Sequence, residues 1–483
     1  MSLFATKSVE QIRAESEGEH GLKRTLDATQ LVALGIGAII GAGLFSLTGI
    51  AASHHAGPAV TLSFLLAAFG CAFAGLCYSE FATMIPIAGS AYTYSYATMG
   101  ELLAWIIGWD LVLEYAVGAA TVAVSWSGYV ASLLKDFGID LPWQYINSPF
   151  THTTLANGEV LHGVINIPAV LVVIAVSTVL IVGIQESARV NSIIVMMKVT
   201  VVILFILVGW GYINQANYTP YIPENTGQSG HFGLSGVLRA AGVVFFAFIG
   251  FDAVSTAAQE AKRPQRDMPI GIIGSLVVCT LLYVLFAHVL TGMVNYKDLD
   301  SAAPVAVAID RTPYQWLKTA IKLAIIAGYT SVILVMLLGQ SRVFYSMSRD
   351  GLLPKLFSDV HPKYRTPWRS NLLFMVFVGL FGAFAPIQLV GEMTSIGTLF
   401  AFVLVSIGIL VMRKTHPDLP RPFRTPLVPL VPIMGILANL GLMAGLGLEN
   451  WMRLFIWMAL GFAIYFGYSR HRSNLQRSLA AKK

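Results

Sequence analysis

The stretch that decides the fold reads Gly35-Ile36-Gly37-Ala38-Ile39-Ile40-Gly41-Ala42-Gly43-Leu44-Phe45. It lies inside a run from Ala28 to Ser79 that contains no Asp, Glu, Lys or Arg. Four glycines within nine residues disfavour a continuous helix, because each costs about 1 kcal/mol relative to alanine. In a membrane helix, glycine either lets neighbouring backbones approach closely or lets the helix unwind so that its N–H and C=O groups meet a ligand. This stretch alone leaves both interpretations open.

The whole chain has the composition of a polytopic helical membrane protein. Charged residues make up 12% of its 483 residues, whereas soluble domains contain about 25%. Hydrophobic residues make up 56%, and the mean hydropathy is +0.69. These values exclude a soluble enzyme and a disordered chain, and long apolar runs argue against an outer-membrane barrel. The three cysteines lie in apolar runs, which predicts buried thiols rather than disulfides.

Twelve apolar runs are long enough to cross a hydrocarbon core of about 30 Å. The segment Ser53–Pro58 separates the first two runs. The predicted spans, numbered one to twelve, are 28–52, 58–84, 98–132, 163–183, 190–212, 234–258, 269–293, 315–345, 371–389, 392–412, 427–448 and 451–469.

The positions of lysine and arginine predict the orientation. With the N-terminus in the cytoplasm, 23 of the 31 basic residues fall on the inside and five on the outside. This asymmetry is the positive-inside rule, so both tails are predicted to be cytoplasmic. The most basic loop, Arg342–Arg369, is interpreted as a cytoplasmic loop, and binding of lipid headgroups or nucleic acid is the alternative.

A second interrupted stretch lies five spans after the first. Span six reads Gly242-Val243-Val244-Phe245-Phe246-Ala247-Phe248-Ile249-Gly250-Phe251-Asp252. Interrupted helices at matching places in two halves of five spans indicate an inverted-repeat transporter with its site near the midplane. The second half then enters from the opposite face, so spans one and six are antiparallel.

The two interruptions predict a site for a zwitterion. Where span one unwinds near Gly41–Gly43, the amides and the positive dipole end of the next half-helix attract a carboxylate. Unpaired carbonyl groups in the span-six break attract an ammonium. An amino acid carries both groups. Asp252 either binds the ammonium directly or caps the half-helix that restarts there.

Six motifs then resemble those of bacterial amino acid permeases. Besides 35–45, they are Pro86-Ile-Ala-Gly-Ser-Ala-Tyr92, Glu114-Tyr115, Phe251-Asp-Ala-Val-Ser-Thr256, Pro264-Gln-Arg-Asp-Met-Pro-Ile270 and Ser348-Arg-Asp-Gly-Leu-Leu-Pro354. The chain is similar to the cationic amino acid transporter family of the amino acid–polyamine–organocation superfamily. The resemblance extends from about Leu22 to Tyr468.

The resemblance implies an all-α membrane protein with a LeuT-like fold of five plus five inverted helices and two appended helices. The implied units are a cytoplasmic tail (1–27), two repeats (28–212 and 213–412), helices eleven and twelve (413–469) and a second cytoplasmic tail (470–483). It also implies proton-coupled uptake of amino acids across the cell membrane.

The resemblance further implies where the substrate binds. The amides of Ala42 and Gly43 would hold the carboxylate, with Ile40 and Gly41 in the same unwound segment. Carbonyl groups near four residues would hold the amino group: Ile39, Phe246, Ala247 and Ile249. Phe246 and Phe248 lie where the family has an aromatic outer gate. Relatives often have a hydroxyl residue where this chain has Ala42, so one side-chain contact is lost while the amides remain.

Lys198 is the most informative charge inside a span. It lies about eight residues, or about 12 Å, from the cytoplasmic end of span five. Charges within the membrane are expensive and mark function, and burial disfavours the charged form of lysine. Family members use a span-five lysine where sodium-coupled relatives bind a second sodium ion. We expect Lys198 to carry or gate the coupled proton; the alternative is a lysine that snorkels to the cytoplasm.

Other charged groups have two interpretations each. Glu114 in span three either lines the pocket, where it would favour a cation or a water network, or pairs with another span. Asp110 is expected to be a structural partner. Arg239 and Lys322 are expected to snorkel, because they lie near the ends of their spans. Five residues at predicted cytoplasmic ends form either an inner gate or surface ion pairs: Glu80, Arg189, Glu260 and Arg349–Asp350.

Tyr329 in span eight predicts the substrate class. It aligns with a position that borders the side-chain pocket, where a small residue would admit a long substrate. A tyrosine fills that volume, so small or medium neutral L-amino acids are predicted. The alternative is that Tyr329 rotates away and Glu114 receives arginine or lysine.

Other function classes fit the sequence less well. The chain has no metal-binding His/Cys spacing, Walker sequence or nucleophile elbow, so it is predicted not to be an enzyme and to need no cofactor or metal. The predicted partners are an amino acid, a proton and membrane lipid, without nucleic acid. An amino acid exchanger is the main rival within transport, and an amino acid sensor is the rival outside it.

Overall fold

A computed structural model of the protein describes residues 3–7, 26–84, 90–154, 158–183, 188–256 and 261–481. Residues 85–89 of the Pro86–Tyr92 motif lie outside these ranges. The side chains of Arg189 and Glu260, two members of the predicted inner gate, are also outside the described part.

Helices occupy every predicted span. The first six correspond to Ala28–Ile39 with Gly43–Leu47, Thr48–Ala51 and Ala52–Ala56; Val60–Met84; Glu101–Val112, Leu113–Val117 and Gly118–Asp136; Ile167–Val182; Ala188–Trp210; and Gly233–Val244 with Phe245–Phe248 and Ala253–Thr256. The last six correspond to Pro264–Met293, Gln315–Arg349, Trp368–Phe384, Ile387–Thr415, Leu430–Gly445, and Leu448–Ile464 with Tyr465–Ser469.

Seven helical segments in the described ranges have the length and composition to cross a membrane, and five apolar helices of 10–17 residues accompany them. One long segment, Gly43–Met84, contains the predicted boundary between spans one and two. The chain turns there at Gly57, whose φ of +59° suits glycine because it has no Cβ. The protein is therefore a polytopic α-helical membrane protein.

Several short elements connect the spans. The connecting helices are Gly57–Ala59, Ser90–Thr98, Trp143–Tyr145, Gln215–Tyr218, Tyr296–Asp298, Pro304–Ile309, Lys355–Phe357, Arg470–Arg472 and Asn474–Ala481. Two antiparallel strands, His152–Thr154 and Val160–His162, form a hairpin between spans three and four, with His152 opposite His162. None of these elements was predicted, because each is too short to give a periodic pattern.

The contacts between helices come in matching pairs, as two inverted repeats of five helices would produce. Span one packs against span seven, and span six packs against span two. Span five packs against span eight, and span ten against span three. When each span is replaced by its counterpart five positions earlier or later, the contact of spans one and seven becomes that of spans six and two. In the same way, the contact of spans five and eight becomes that of spans ten and three.

The two tails meet at one end of the molecule. The backbone of residues 3–7 bonds to the start of span three, with the Glu101 amide donating to the Ala5 carbonyl at 3.0 Å. The buried Glu101 carboxylate also accepts from Ser473 and Gln476 in the C-terminal tail. Because both tails contact Glu101, both termini lie on the same side of the helix bundle.

The expectation that Arg239 and Lys322 snorkel was wrong. Lys322 is fully buried, and its Nζ donates to Asp136 at 2.7 Å and Asp310 at 3.0 Å. Arg239 lies 3.5 Å from the buried Glu392 carboxylate, which also accepts from Asn450 at 2.7 Å. Both cations pair with carboxylates from neighbouring segments, so neither charge depends on contact with water.

Candidate functional site

Span one is interrupted at Ile40 and Gly41. The first helix ends at Ile39, and Ile40 has an extended backbone with φ −71° and ψ 108°. Helical backbone resumes at Ala42, just before the segment Gly43–Leu47. The Gly41 carbonyl accepts from the amides of Leu44 and Phe45 at 3.1 and 3.2 Å. The new helix therefore starts at Ala42 and Gly43, whose amides belong to the first turn that an α-helix leaves without internal partners.

Span six is interrupted at the matching place. Its helix tightens to a 3₁₀ turn at Phe245–Phe248, and Ile249 is extended with φ −59° and ψ 131°. Gly250 has a φ of +117°, a conformation that glycine adopts readily. The Asp252 carboxylate accepts from the Gly250 amide at 3.2 Å, and its carbonyl accepts from the Ser255 amide at 2.8 Å. Asp252 thus holds the turn in which span six restarts.

The two interruptions touch each other. A methyl group placed on Gly43 would overlap the backbone of Ala247. A methyl group on Gly250 would lie 2.8 Å from the Ala38 carbonyl oxygen. Gly35 and Gly37 likewise admit Ser275 and Val195 from neighbouring helices. Gly35, Gly37 and Gly43 therefore serve close packing, while the unwinding falls at Ile40 and Gly41.

One hydroxyl group joins the two interruptions. Tyr283 of span seven is fully buried, and its Oη lies 3.0 Å from the Ile39 carbonyl oxygen and 2.8 Å from that of Ala247. These are two of the four carbonyl groups that were predicted to hold the amino group of the substrate. Tyr283 was missed in the sequence, although a hydroxyl group in an apolar span was a signal that pointed to it.

Lys198 lies beside the half-helix that leads to the first interruption. Its side chain is 3% exposed, and its Nζ donates to the Gly37 carbonyl at 2.9 Å. The side chain points into the bundle rather than snorkelling to the surface. Gly328 of span eight makes room for it, because a Cβ there would lie 2.9 Å from Cε of the lysine. This neighbour was also missed in the sequence.

Tyr329 lies on the other side of the first interruption. Its hydroxyl group and the Ser46 hydroxyl are 2.8 Å apart, and the Ser46 hydroxyl also donates to the Ala302 carbonyl at 2.7 Å. The ring packs against those of Phe45 and Tyr129, with centroids 6.3 and 5.7 Å away. Tyr329 is buried and packed beside the segment that follows the break.

Glu114 lies near Asp252, where span six restarts. Its carboxyl group interacts with that of Asp252 and with Thr398 of span ten. Within the described part of the chain, its Oε1 has no hydrogen-bond partner, and neither carboxylate oxygen of Asp110 has one. The structure therefore brings Glu114 next to the restart of span six.

The two phenylalanines expected to form a gate are both buried. The Phe248 ring packs against Phe64 and Tyr283, with centroids 6.3 and 5.3 Å away. Phe246 is 4% exposed, and its carbonyl accepts from the Ile249 amide at 3.2 Å. Phe248 is therefore part of an aromatic cluster around Tyr283.

Glu80 belongs to a cluster of ion pairs near the C-terminal end of span ten, which carries Arg413. Arg413 binds both carboxylate oxygens of Glu80 at 2.9 Å, and Arg421 lies 3.2 Å from the same group. The Thr425 amide also donates to it at 2.7 Å.

Asp350, from another predicted pair, accepts from Lys7 at 2.9 Å and Tyr92 at 2.6 Å.

Comparison with known proteins gives a consistent result. The profile of the family described as "Amino acid permease" matches residues 26–465. The branched-chain amino acid permease BcaP of Bacillus subtilis (strain 168) is 45% identical over 479 residues, which cover 99% of each chain. The methylthioribose transporter of the same organism is 42% identical, covering 99% of this chain and all of the relative. Cationic amino acid transporter 4, vacuolar, of Arabidopsis thaliana is 37% identical over 86% of this chain and 68% of its own.

Proposed function

The chain belongs to the amino acid permease family, a family of membrane transporters, and we propose that it imports small and medium neutral L-amino acids together with protons. It would do so by alternating access with twelve spans, both tails in the cytoplasm, and repeats at 28–212 and 213–412. Spans eleven and twelve (413–469) would stand outside the repeats. The positive-inside asymmetry and the meeting of the two tails at Glu101 support this orientation.

The contact between two interrupted helices carries the proposal. The restarted helix at Ala42 and Gly43 offers amides and a positive dipole end to a carboxylate. The carbonyl groups of Ile39 and Ala247 converge on one point, where a single hydroxyl reaches both. An α-ammonium group has three N–H donors for such carbonyls. A ligand that carries both charges a few bonds apart is an amino acid.

Lys198 is proposed as the proton-coupling residue. Its ammonium binds the Gly37 carbonyl, in the half-helix that leads to the Ile40 break. The protonated amine makes a charge-assisted hydrogen bond to that carbonyl and the neutral amine makes a weaker one, so loss of the proton would weaken the bond to this half-helix. Protonation of Lys198 would in this way be linked to the position of the inner half of span one.

Tyr329 supports a neutral substrate of limited size. Its ring is fixed by the Ser46 hydroxyl and by Phe45, directly after the amides that would bind the carboxylate. A bulky ring there leaves less room for a long side chain. The name of the bacterial relative, branched-chain amino acid permease, agrees with this size class.

A cationic substrate is the second candidate. Glu114 is a buried carboxyl group with one oxygen free of hydrogen bonds in the described part of the chain, and it would attract a guanidinium or ammonium group. The Arabidopsis relatives are named as cationic amino acid transporters. Preference for arginine over leucine would favour this candidate.

A binding experiment tests the zwitterion site. Purified protein is heated with leucine, with 4-methylpentanoate, which lacks the amino group, or with isopentylamine, which lacks the carboxylate. A ligand that binds the folded state raises the melting temperature. With all ligands at the same concentration, we expect leucine to raise the melting temperature and neither analogue to raise it. Arginine and methylthioribose are measured as comparisons. Equal stabilisation by either leucine analogue would contradict the proposal.

A further inference from the structure

The Tyr283 hydroxyl occupies the point where the two interruptions of the helices converge. It lies within 3.0 Å of the carbonyl oxygens of Ile39 and Ala247. A phenol has one proton, so it donates to one of these carbonyls at a time or shares the proton between them. The hydroxyl group therefore occupies the position from which one donor group can reach both carbonyl oxygens.

The ring of Tyr283 is held in place by its surroundings. It packs against Phe64 and Phe248, with centroids 5.4 and 5.3 Å away. The buried Cys279 lies one turn earlier on the same helix. The residue is fully buried, so water does not compete at the hydroxyl from the bundle surface. The aromatic contacts fix the position of the ring, whereas the hydrogen bonds of the hydroxyl group can change.

We propose that the Tyr283 hydroxyl stands in for the substrate ammonium when the carrier reorients without substrate. This inference rests on the proposed function, which assigns the Ile39 and Ala247 carbonyls to the ammonium. A buried carbonyl left without a donor is destabilising, because it has lost its hydrogen bonds to water and gained none in return. Tyr283 would supply a donor to the interruptions whenever the ammonium is absent, and the ammonium would displace it on binding.

Two consequences distinguish this role from a structural one. Net uptake requires the empty carrier to return, whereas exchange of one amino acid for another uses only the loaded carrier. Loss of the hydroxyl should therefore slow net uptake and spare exchange. The same loss removes a competitor of the ammonium, so the substrate should bind more tightly.

The experiment uses Tyr283→Phe, which keeps the ring and its aromatic contacts. Tyr218→Phe is the matched control, because that hydroxyl also donates to a backbone carbonyl of span seven, that of His288 at 2.7 Å, outside the site. Both variants and the parent protein are reconstituted in liposomes. Labelled leucine is followed into empty liposomes under an inward proton gradient and into liposomes preloaded with unlabelled leucine. Binding of leucine to purified protein is measured by calorimetry.

For Tyr283→Phe we expect net uptake to fall by about tenfold or more, and exchange to stay near that of the parent. The dissociation constant should fall by about three- to tenfold, as expected for loss of one competing neutral hydrogen bond. Tyr218→Phe should behave as the parent in all three assays.

An unchanged or raised dissociation constant in Tyr283→Phe would overturn the inference. An equal loss of net uptake and exchange would also overturn it, because that result indicates a structural role. If the unaltered protein neither binds nor moves an amino acid, the proposed function fails first and the inference falls with it. If the unaltered protein binds leucine and Tyr283→Phe binds it no more tightly, only the inference fails.

Discussion

Gly328 shows how a residue without a side chain sets the position of a charge. The stem of Lys198 fills the space that a Cβ on Gly328 would need, at 2.9 Å from Cε and 3.2 Å from Cγ. A lysine side chain is flexible, so an added methyl group would displace it at low cost to the fold. The Lys198 ammonium would then lose its bond to the Gly37 carbonyl.

We therefore expect Gly328→Ala to lose most of its proton-driven accumulation, as Lys198→Ala should lose all of it. Exchange of preloaded amino acid should remain in both variants. The measurement is uptake in proteoliposomes with and without an inward proton gradient. Gly379→Ala is the control, because a Cβ at Gly379 meets no atom of the described residues within 4 Å. Undiminished accumulation by Lys198→Ala would refute the coupling role, and undiminished accumulation by Gly328→Ala alone would refute the positioning role.

Tyr329 is a second residue whose size matters. Tyr329→Ser removes the ring that packs against Phe45 and the hydroxyl that bonds to Ser46. We expect the ratio of arginine to alanine uptake to rise by about tenfold or more, since contacts in an apolar pocket discriminate on this scale. Competition of both amino acids against labelled alanine gives the ratio. An unchanged size preference would mean that the ring does not limit the pocket.

At the scale of elements, the two interruptions depend on a close backbone contact. A methyl group on Gly43 would overlap backbone atoms of Ala247, and backbone cannot move aside as a side chain can. Gly43→Ala should therefore push the two broken helices apart and abolish amino acid binding.

Loss of leucine-induced stabilisation in a variant that still elutes as a folded protein is the expected result for Gly43→Ala. Gly379→Ala serves again as the control, since it adds the same methyl group at a position where the described part of the chain has no atom within 4 Å. Binding of leucine by Gly43→Ala with the affinity of the parent would show that the contact is not required.

The elements also show what the sequence could predict. The apolar helices were predictable because apolar runs of about 20 residues are a strong signal, and the recurring glycines pointed to the two stretches in which Ile40 and Ile249 have extended backbone. The partners of Arg239 and Lys322 were not predictable, because Glu392, Asp136 and Asp310 come from other helices. The hydroxyl of Tyr283 was missed for the same reason: its role depends on two carbonyls that lie far away in the sequence.

At the scale of the whole molecule, buried ion pairs connect helices that the sequence separates. Lys322 joins the end of span three, through Asp136, to the helix Pro304–Ile309, through Asp310. Removing the cation leaves two carboxylates, which are partly exposed and so retain some hydration. Hydrogen bonds to charged groups contribute about 1.5–3 kcal/mol.

Lys322→Met should accordingly lower the stability by about 1.5–3 kcal/mol, measured as a lower midpoint of thermal or denaturant unfolding. Lys318→Met is the control on the same helix, since Lys318 is exposed and donates only to the Asp310 carbonyl among the described contacts. Its change should stay within about 0.5 kcal/mol. Equal effects of the two substitutions would show that the buried bridge adds nothing to stability.

Uptake into proteoliposomes tests whether the protein imports neutral amino acids together with protons. The purified protein is reconstituted, and labelled alanine, leucine and arginine are followed with and without an inward proton gradient. We predict accumulation of alanine and leucine only when the gradient is present, with little arginine. Transport that occurs only against preloaded amino acid, with or without the gradient, would contradict proton-coupled import and would remove the role assigned to Lys198.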